Sequence, residues 1–260
     1  MKELDPLIIL SASTRMGTTL VQRMLCSASD CLIYGDTIGN EAAFLASWLT
    51  TREFSLQRQA GRSDPMLQAL LAGDTSNFIA ELTPKSNEYL ESLAIFAAAP
   101  LAHCKKEASS HGRPVWGWKH AGAQVWFINL LPTVFPGARV IIMDRNLEDT
   151  ARSAKASQHF SPGADFQRYI TDAIASRAAL ATLSTRLPVF NLSLEGLLEE
   201  PARMIAELED FSGCHPIDRS VLSVKVNYPH SPLIPPAELN PEEVAFIRQF
   251  EPARKHAHSA

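Results

Sequence analysis

Hydrophobic and polar positions along the chain switch repeatedly between two periods. Residues 7–10, Leu7-Ile8-Ile9-Leu10, form a short continuous apolar run, the pattern of a strand buried on both faces. A polar turn follows. Then Leu20 and Met24, with Val21 and Leu25 beside them, recur at helical spacing. Short apolar runs at 31–34, 115–118, 139–143 and 189–192 predict further buried strands. Helical patterns lie between them, roughly at 41–52, 122–132, 147–157, 165–186 and 201–211. Alternating strands and helices predict an α/β three-layer sandwich, with a central parallel sheet of about five strands covered on both faces.

Residues 53–112 interrupt this rhythm. They are rich in Ala, Leu, Gln and Ser, with helix-start chemistry at Asp74-Thr75 and at Thr83-Pro84. Pro100 is expected to kink or end the second of these helices. The segment is expected to be a helical insertion, or lid, over the sheet of a single domain spanning 1–260. Near the end, Asn240-Pro241-Glu242-Glu243 before Val244 reads as a capping box. Residues 254–260 are expected to be mobile.

Composition narrows the function classes. The chain has 260 residues, 46% hydrophobic and 20% charged, enough for a full core without disulfides or a structural metal. Its net charge is −4, so no global basic field points to nucleic acid. Cys26, Cys31, Cys104 and Cys214 lack paired C-x-x-C spacing and are expected to be reduced thiols. The N-terminus lacks a signal-peptide layout, and 7–10 is too short to span a bilayer. A soluble cytoplasmic protein is the expectation. Oligomeric state is not legible.

The first chemical signal is the turn after 7–10. A strand running into a glycine-containing turn and a helix start makes an anion site, because the first-turn N–H groups are free and the helix dipole favours negative charge. Gly17, Thr18 and Thr19 stand at that turn, and Arg15 adds a fork suited to phosphate or sulfonate oxygens. Against the nucleoside-triphosphate pattern G-x-x-x-x-G-K-[ST], Thr18 replaces the lysine and Ala12 the first glycine. The plain alternative is an ordinary helix start. A second signal lies at Arg145, at the carboxyl end of a predicted strand, with Ser153 eight residues later. Ligands of open α/β sheets bind at that end. The plain alternative for Arg145 is a surface pair with Glu148 or Asp149.

Together these segments resemble the sulfotransferases that use 3′-phosphoadenosine 5′-phosphosulfate (PAPS), a P-loop-like family. Arg15-Met16-Gly17-Thr18-Thr19 resembles the family's 5′-phosphosulfate loop, and Arg145 with Ser153 resembles its 3′-phosphate motif. The block from Leu192 through Glu195 and Pro201 to Gly213 resembles the family's closing segment, so the likeness covers roughly 5–215. The resemblance implies a base at Asp36, where related enzymes carry Glu, and a catalytic lysine at Lys119. Ser220 and Lys225 lie where related enzymes bring late-chain residues to the donor. Leu147 departs from a common Pro, and Leu194 from a common Tyr near the nucleotide.

The chemistry so implied is transfer of a sulfonyl group from PAPS to a hydroxyl or amine of a small-molecule acceptor, releasing 3′,5′-adenosine bisphosphate (PAP). Arg15 and Lys119 would stabilise the transferring group, and no metal is expected. Asp36 or His120 would take the acceptor proton. For Asp36 the alternative is a turn residue, and for Lys119 a lysine closing a strand. Phe44, Trp48, Phe54, Phe78, Tyr89, Phe96, Trp116 and Trp118 could line the acceptor pocket or simply fill the core. An atypical P-loop nucleotide kinase and a non-catalytic nucleotide-binding protein are the competing readings.

Overall fold

The computed structural model describes residues 1–76, 82–224 and 234–250. Five strands form one parallel sheet: β1 (Leu7–Ser11), β2 (Cys31–Tyr34), β3 (Val115–Ala121), β4 (Arg139–Asp144) and β5 (Val189–Ser193), in the order β2-β3-β1-β4-β5. All four pairings are parallel, with Ile9 opposite Lys119 on one side of β1 and Ile141 on the other. Every residue of β1 is buried, as its unbroken apolar run requires for a strand covered on both faces.

Strand alternation sends Ile8, Leu10, Trp118, Val140 and Ile142 to one face. There they meet α2 (Asp36–Leu71), α3 (Ser86–Ser110), α4 (Val125–Val134) and α6 (Ala164–Ala181). Leu7, Ile9, Ile33, Ile141 and Met143 face the other way, against α1 (Thr18–Ser27), α7 (Leu194–Glu199) and α8 (Pro201–Ser212). Each fully buried Leu or Ile contributes about 1.5–3 kcal/mol, so the two faces of one sheet anchor the three layers. A smaller cluster joins α5 (Leu147–Ala156) and α6 to α9 (Pro241–Arg248), with Ile247 inserted between them. The capping box at Asn240 and Glu243 forms as the sequence predicts.

The region before β3 departs from expectation. The helix expected at 41–52 begins at Asp36 and continues without a break to Leu71. Its middle, Gln57-Arg58-Gln59-Ala60, consists of helix-favouring residues with no stop signal. Pro65 sits inside α2, and Pro100 inside α3, which runs on to Ser110. A proline removes one ladder bond and does not by itself end a long helix packed elsewhere. Asp74 accepts from the amide and hydroxyl of Ser76, and 77–81, where a helix starting there would continue, lie outside the described residues. Strand β3 also extends past the expected Trp118 to Ala121, so Lys119 and His120 lie within the sheet. The residues 254–260 lie outside the described part of the chain.

Candidate active site

Three neighbouring strands deliver the candidate chemistry to one edge of the sheet. After β1 the chain turns through Arg15, with φ 69°, and Gly17, with φ 99°. A Cβ on Gly17 would lie 2.9 Å from Met143 Cε and 3.6 Å from Leu194 Cδ1. The left-handed backbone favours glycine here. Gly17 caps α1 without any side-chain hydrogen bond; the Leu20 amide donates to the Gly17 carbonyl at 2.9 Å, and the Thr18 and Thr19 amides are left as donors. Met16 and Thr18 are buried and Thr19 is exposed, so Met16 can offer only its backbone.

Strand β4 brings the second anion motif against the first. Arg145 follows β4 directly, and its Nη1 donates to the Arg15 carbonyl at 3.1 Å. Arg15 Nε donates to Ser153 Oγ at 3.1 Å, across 138 residues of sequence. Neither arginine has a carboxylate at ion-pair distance among the described residues, so the surface pair with Glu148 or Asp149 does not form. Arg177 of α6 clamps the strand end instead: Nη2 lies 2.7 Å from Asp144 Oδ1 and also donates to the Arg145 carbonyl. Asn146 caps α5 by accepting from the Asp149 amide at 3.1 Å, and its own amide is held by Glu195 Oε1 at 2.8 Å.

Strand β3 supplies the third part. Lys119 is buried, and its ammonium forms an ion pair with Asp36, the first residue of α2. The Ala121 amide donates to the other Asp36 oxygen at 3.0 Å. Asp36 is thus a helix-start residue fixed by two donors, and its side chain stays 43% exposed to solvent. Gly39 permits this approach, because a Cβ there would lie 2.3 Å from the Lys119 carbonyl oxygen. His120 points to the opposite face of β3, is buried, and packs edge-on against Phe127 at 5.2 Å. Neither ring nitrogen has a hydrogen-bond partner. Burial pushes its imidazole pKa down, with Gln124 and Asp36 opposing this.

Ser220 is placed elsewhere. Its hydroxyl and amide both bond to Asp218, whose amide donates to Ser27 Oγ at the last residue of α1. That is a helix length of about 15 Å from Gly17. Lys225 lies outside the described residues.

Sequence reasoning passed over Tyr169 and Arg177. Tyr169 lies on α6 and donates to the Thr14 carbonyl at 3.0 Å, with Ser13 Oγ at 3.1 Å. Burial raises its phenol pKa, while Ser13, Thr14, Arg15 and Arg145 oppose that rise. Only the helical periodicity of 165–186 carried any trace of it. A cavity of about 760 Å³ opens beside the loop, lined on one side by Ser13 and Thr14 and on the others by α4 and α6. None of the seven described aromatic residues proposed for an acceptor pocket lines it; Trp126 does. Trp116 and Trp118 are core, Phe44, Phe54 and Phe96 are exposed, and Phe78 lies outside the described residues. Among the described residues, no three His, Cys, Asp or Glu side chains converge as metal ligands, all four cysteines are free thiols, and no helix is long and apolar enough to cross a membrane.

A parallel sheet with an open helix start after its central strand, flanked by basic residues from both neighbouring strands, defines an α/β fold whose candidate site lies at the carboxyl ends of the strands. A sequence model of the Sulfotransferase family matches residues 6–217, and the chain belongs to that family. No curated protein matches it. Among solved structures it resembles a sulfotransferase domain from the curacin biosynthetic pathway, with a TM-score of 0.52, 13% identity, and coverage of 84% of this chain and 77% of that one. A sulfotransferase from Alicyclobacillus acidocaldarius aligns with a TM-score of 0.50, 14% identity, and 95% and 93% coverage. These likenesses show the same fold.

Proposed function

We propose that the protein transfers a sulfonyl group from PAPS to a hydroxyl or amine of a small-molecule acceptor, releasing PAP. The observation that carries this reading is the meeting of two anion motifs. Arg145 bonds to the Arg15 carbonyl and Arg15 bonds to Ser153, each at 3.1 Å. One ligand bearing phosphates at both ends of a nucleoside would satisfy both motifs at once.

In this reading the amides and hydroxyls of Thr18 and Thr19 hold the 5′-phosphate. Arg145 and Ser153 hold the 3′-phosphate. Arg15 and Lys119 offset charge on the sulfonate and on the bridging oxygen as its bond to sulfur breaks. Preorganised donors of this kind contribute about 3–4 kcal/mol each in a transition state. Asp36 accepts the acceptor proton as the acceptor oxygen bonds to sulfur, and Lys119 and the Ala121 amide keep that carboxylate oriented. His120, sealed beneath Phe127, supports Asp36 as the base of choice. The helices α2 and α3 pack over the β3 side of the sheet within a single domain, beside Asp36 and not over the groove between α4 and α6.

Thermal shift with PAP, AMP and ATP-Mg²⁺ tests the donor assignment, because a ligand that binds only the native state raises the melting temperature with its affinity. PAP is expected to give the largest shift, and Arg145→Ala to remove most of it. A larger shift with ATP-Mg²⁺ than with PAP would replace this reading with that of a nucleotide kinase.

A further inference from the structure

The cavity of about 760 Å³ beside the donor loop is within the usual range for a small-molecule site. Ser13, Thr14 and Gly122 line one end together, a Cβ on Gly122 lying 3.5 Å from the Thr14 amide nitrogen. These residues adjoin Arg15 and also Ala121, whose amide holds Asp36. From that end the cavity runs between α4 and α6. Trp126, 45% exposed, stands at its rim. Tyr169, Asp172, Ala173 and Ser176 line it at helical spacing along α6, a reach of about 10 Å. Val125 and Ala173 make the walls apolar between these polar points.

The charge of the lining is one-sided. It contains no Lys, Arg or Glu, and Asp172 is its sole carboxylate. Asp172 is exposed, and no hydrogen bond or ion pair ties it to any described residue. His159, also in the lining, is held below its usual pKa by desolvation and by Arg15, which favours the neutral imidazole. A cation in the groove would therefore meet one unpaired negative charge in the lining, with Arg15 the positive group that acts on its His159 and Tyr169 side.

We propose that this groove is the acceptor site, and that it selects a hydroxylated ring compound carrying a basic amine, with the ring between Trp126 and Ala173, the hydroxyl toward Thr14 and the ammonium on Asp172. The assignment rests on the sulfotransferase reading for the identity of the reaction. It adds the class of acceptor and a specificity-determining residue outside the donor motifs.

The test is calorimetric binding to PAP-saturated protein of three matched probes: 5-hydroxytryptamine, 5-hydroxyindole and 5-hydroxyindole-3-acetate. The cation is expected to bind about tenfold more tightly than the anion, the size of one partly desolvated charge pair. Asp172→Asn is expected to abolish that preference without changing PAP affinity, and Asp172→Lys to reverse it. Equal affinities for the three probes, a preference that survives in Asp172→Asn, or no binding of any probe would overturn the assignment. A fall in PAP affinity in Asp172→Asn would also overturn it, by making the groove part of the donor site. Failure of the wild type to bind PAP at all would instead remove the donor reading.

Discussion

Asp36 accepts from the Ala121 amide and His120 precedes Ala121 in β3, yet their surroundings assign them different tasks. Asp36 is fixed by Lys119 and the Ala121 amide and keeps a solvent-facing side. Asp36→Asn preserves the shape and one of the two acceptor oxygens while removing the proton acceptor. Turnover is expected to fall about 10²–10⁴-fold, with PAP affinity unchanged in the same titration. Loss of PAP binding with normal turnover at saturation would exclude Asp36 as the base. His120 makes a claim on stability. Its pKa is lowered by burial, so below about pH 6.5 the unfolded chain binds a proton that the native state resists. More protons on the unfolded state mean that stability rises with pH through that window and is lost as pH falls. Denaturation free energies for the wild type and His120→Phe across acidic pH are expected to diverge, by up to about 1.4 kcal/mol per pH unit. Should the variant not fold, the imidazole titration followed by NMR in the wild type would decide, and an unshifted His120 would refute the argument.

The donor loop depends on helices that do not belong to it. Tyr169 of α6 anchors Thr14, Arg177 of the same helix anchors Asp144 and the Arg145 carbonyl, and Glu195 of α7 anchors the Asn146 amide. Tyr169→Phe removes a bond of about 1 kcal/mol but keeps the ring that packs beside Phe160. PAP affinity is expected to fall several-fold by calorimetry, with the melting temperature of the ligand-free protein nearly unchanged. Unaltered PAP affinity would show that the loop holds its shape without α6. The sequence was readable where the signal was local: Arg15 to Thr19 lie in one turn, and Arg145 and Ser153 are separated by one helix start. It was silent on Tyr169 and Arg177, since a polar residue on an amphipathic helix looks the same whether it meets water or a loop 156 residues away. It also ended the 41–52 helix too early, because a helix-favouring run carries no local mark of where it stops, and α2 runs from Asp36 to Leu71.

Strand order explains why residues so far apart in sequence act together. β1 lies between β3 and β4, with Ser11 opposite Ala121 on one side and Met143 on the other. The end of β1 therefore stands next to Lys119 on β3 and to Arg145 just beyond β4. The alternation of strand and helix in the sequence implied a parallel sheet but left the order of its strands open, so this convergence became visible only in the fold. A nucleotide spanning Thr18 and Arg145 would tie the β1 and β4 crossovers into one unit. Ordering of both ends by one ligand has a measurable signature, because amide exchange reports local opening. PAP is expected to slow exchange in the first turns of α1 and α5 together, at Thr18–Val21 and Leu147–Thr150, and to leave 90–105 of α3 unaffected. In Arg145→Ala, protection by saturating PAP is expected to persist at α1 and to vanish at α5, since the 5′ contacts remain while the 3′ contact is gone. Protection lost equally at both helices would mean that the two cradles do not grip one molecule from opposite ends.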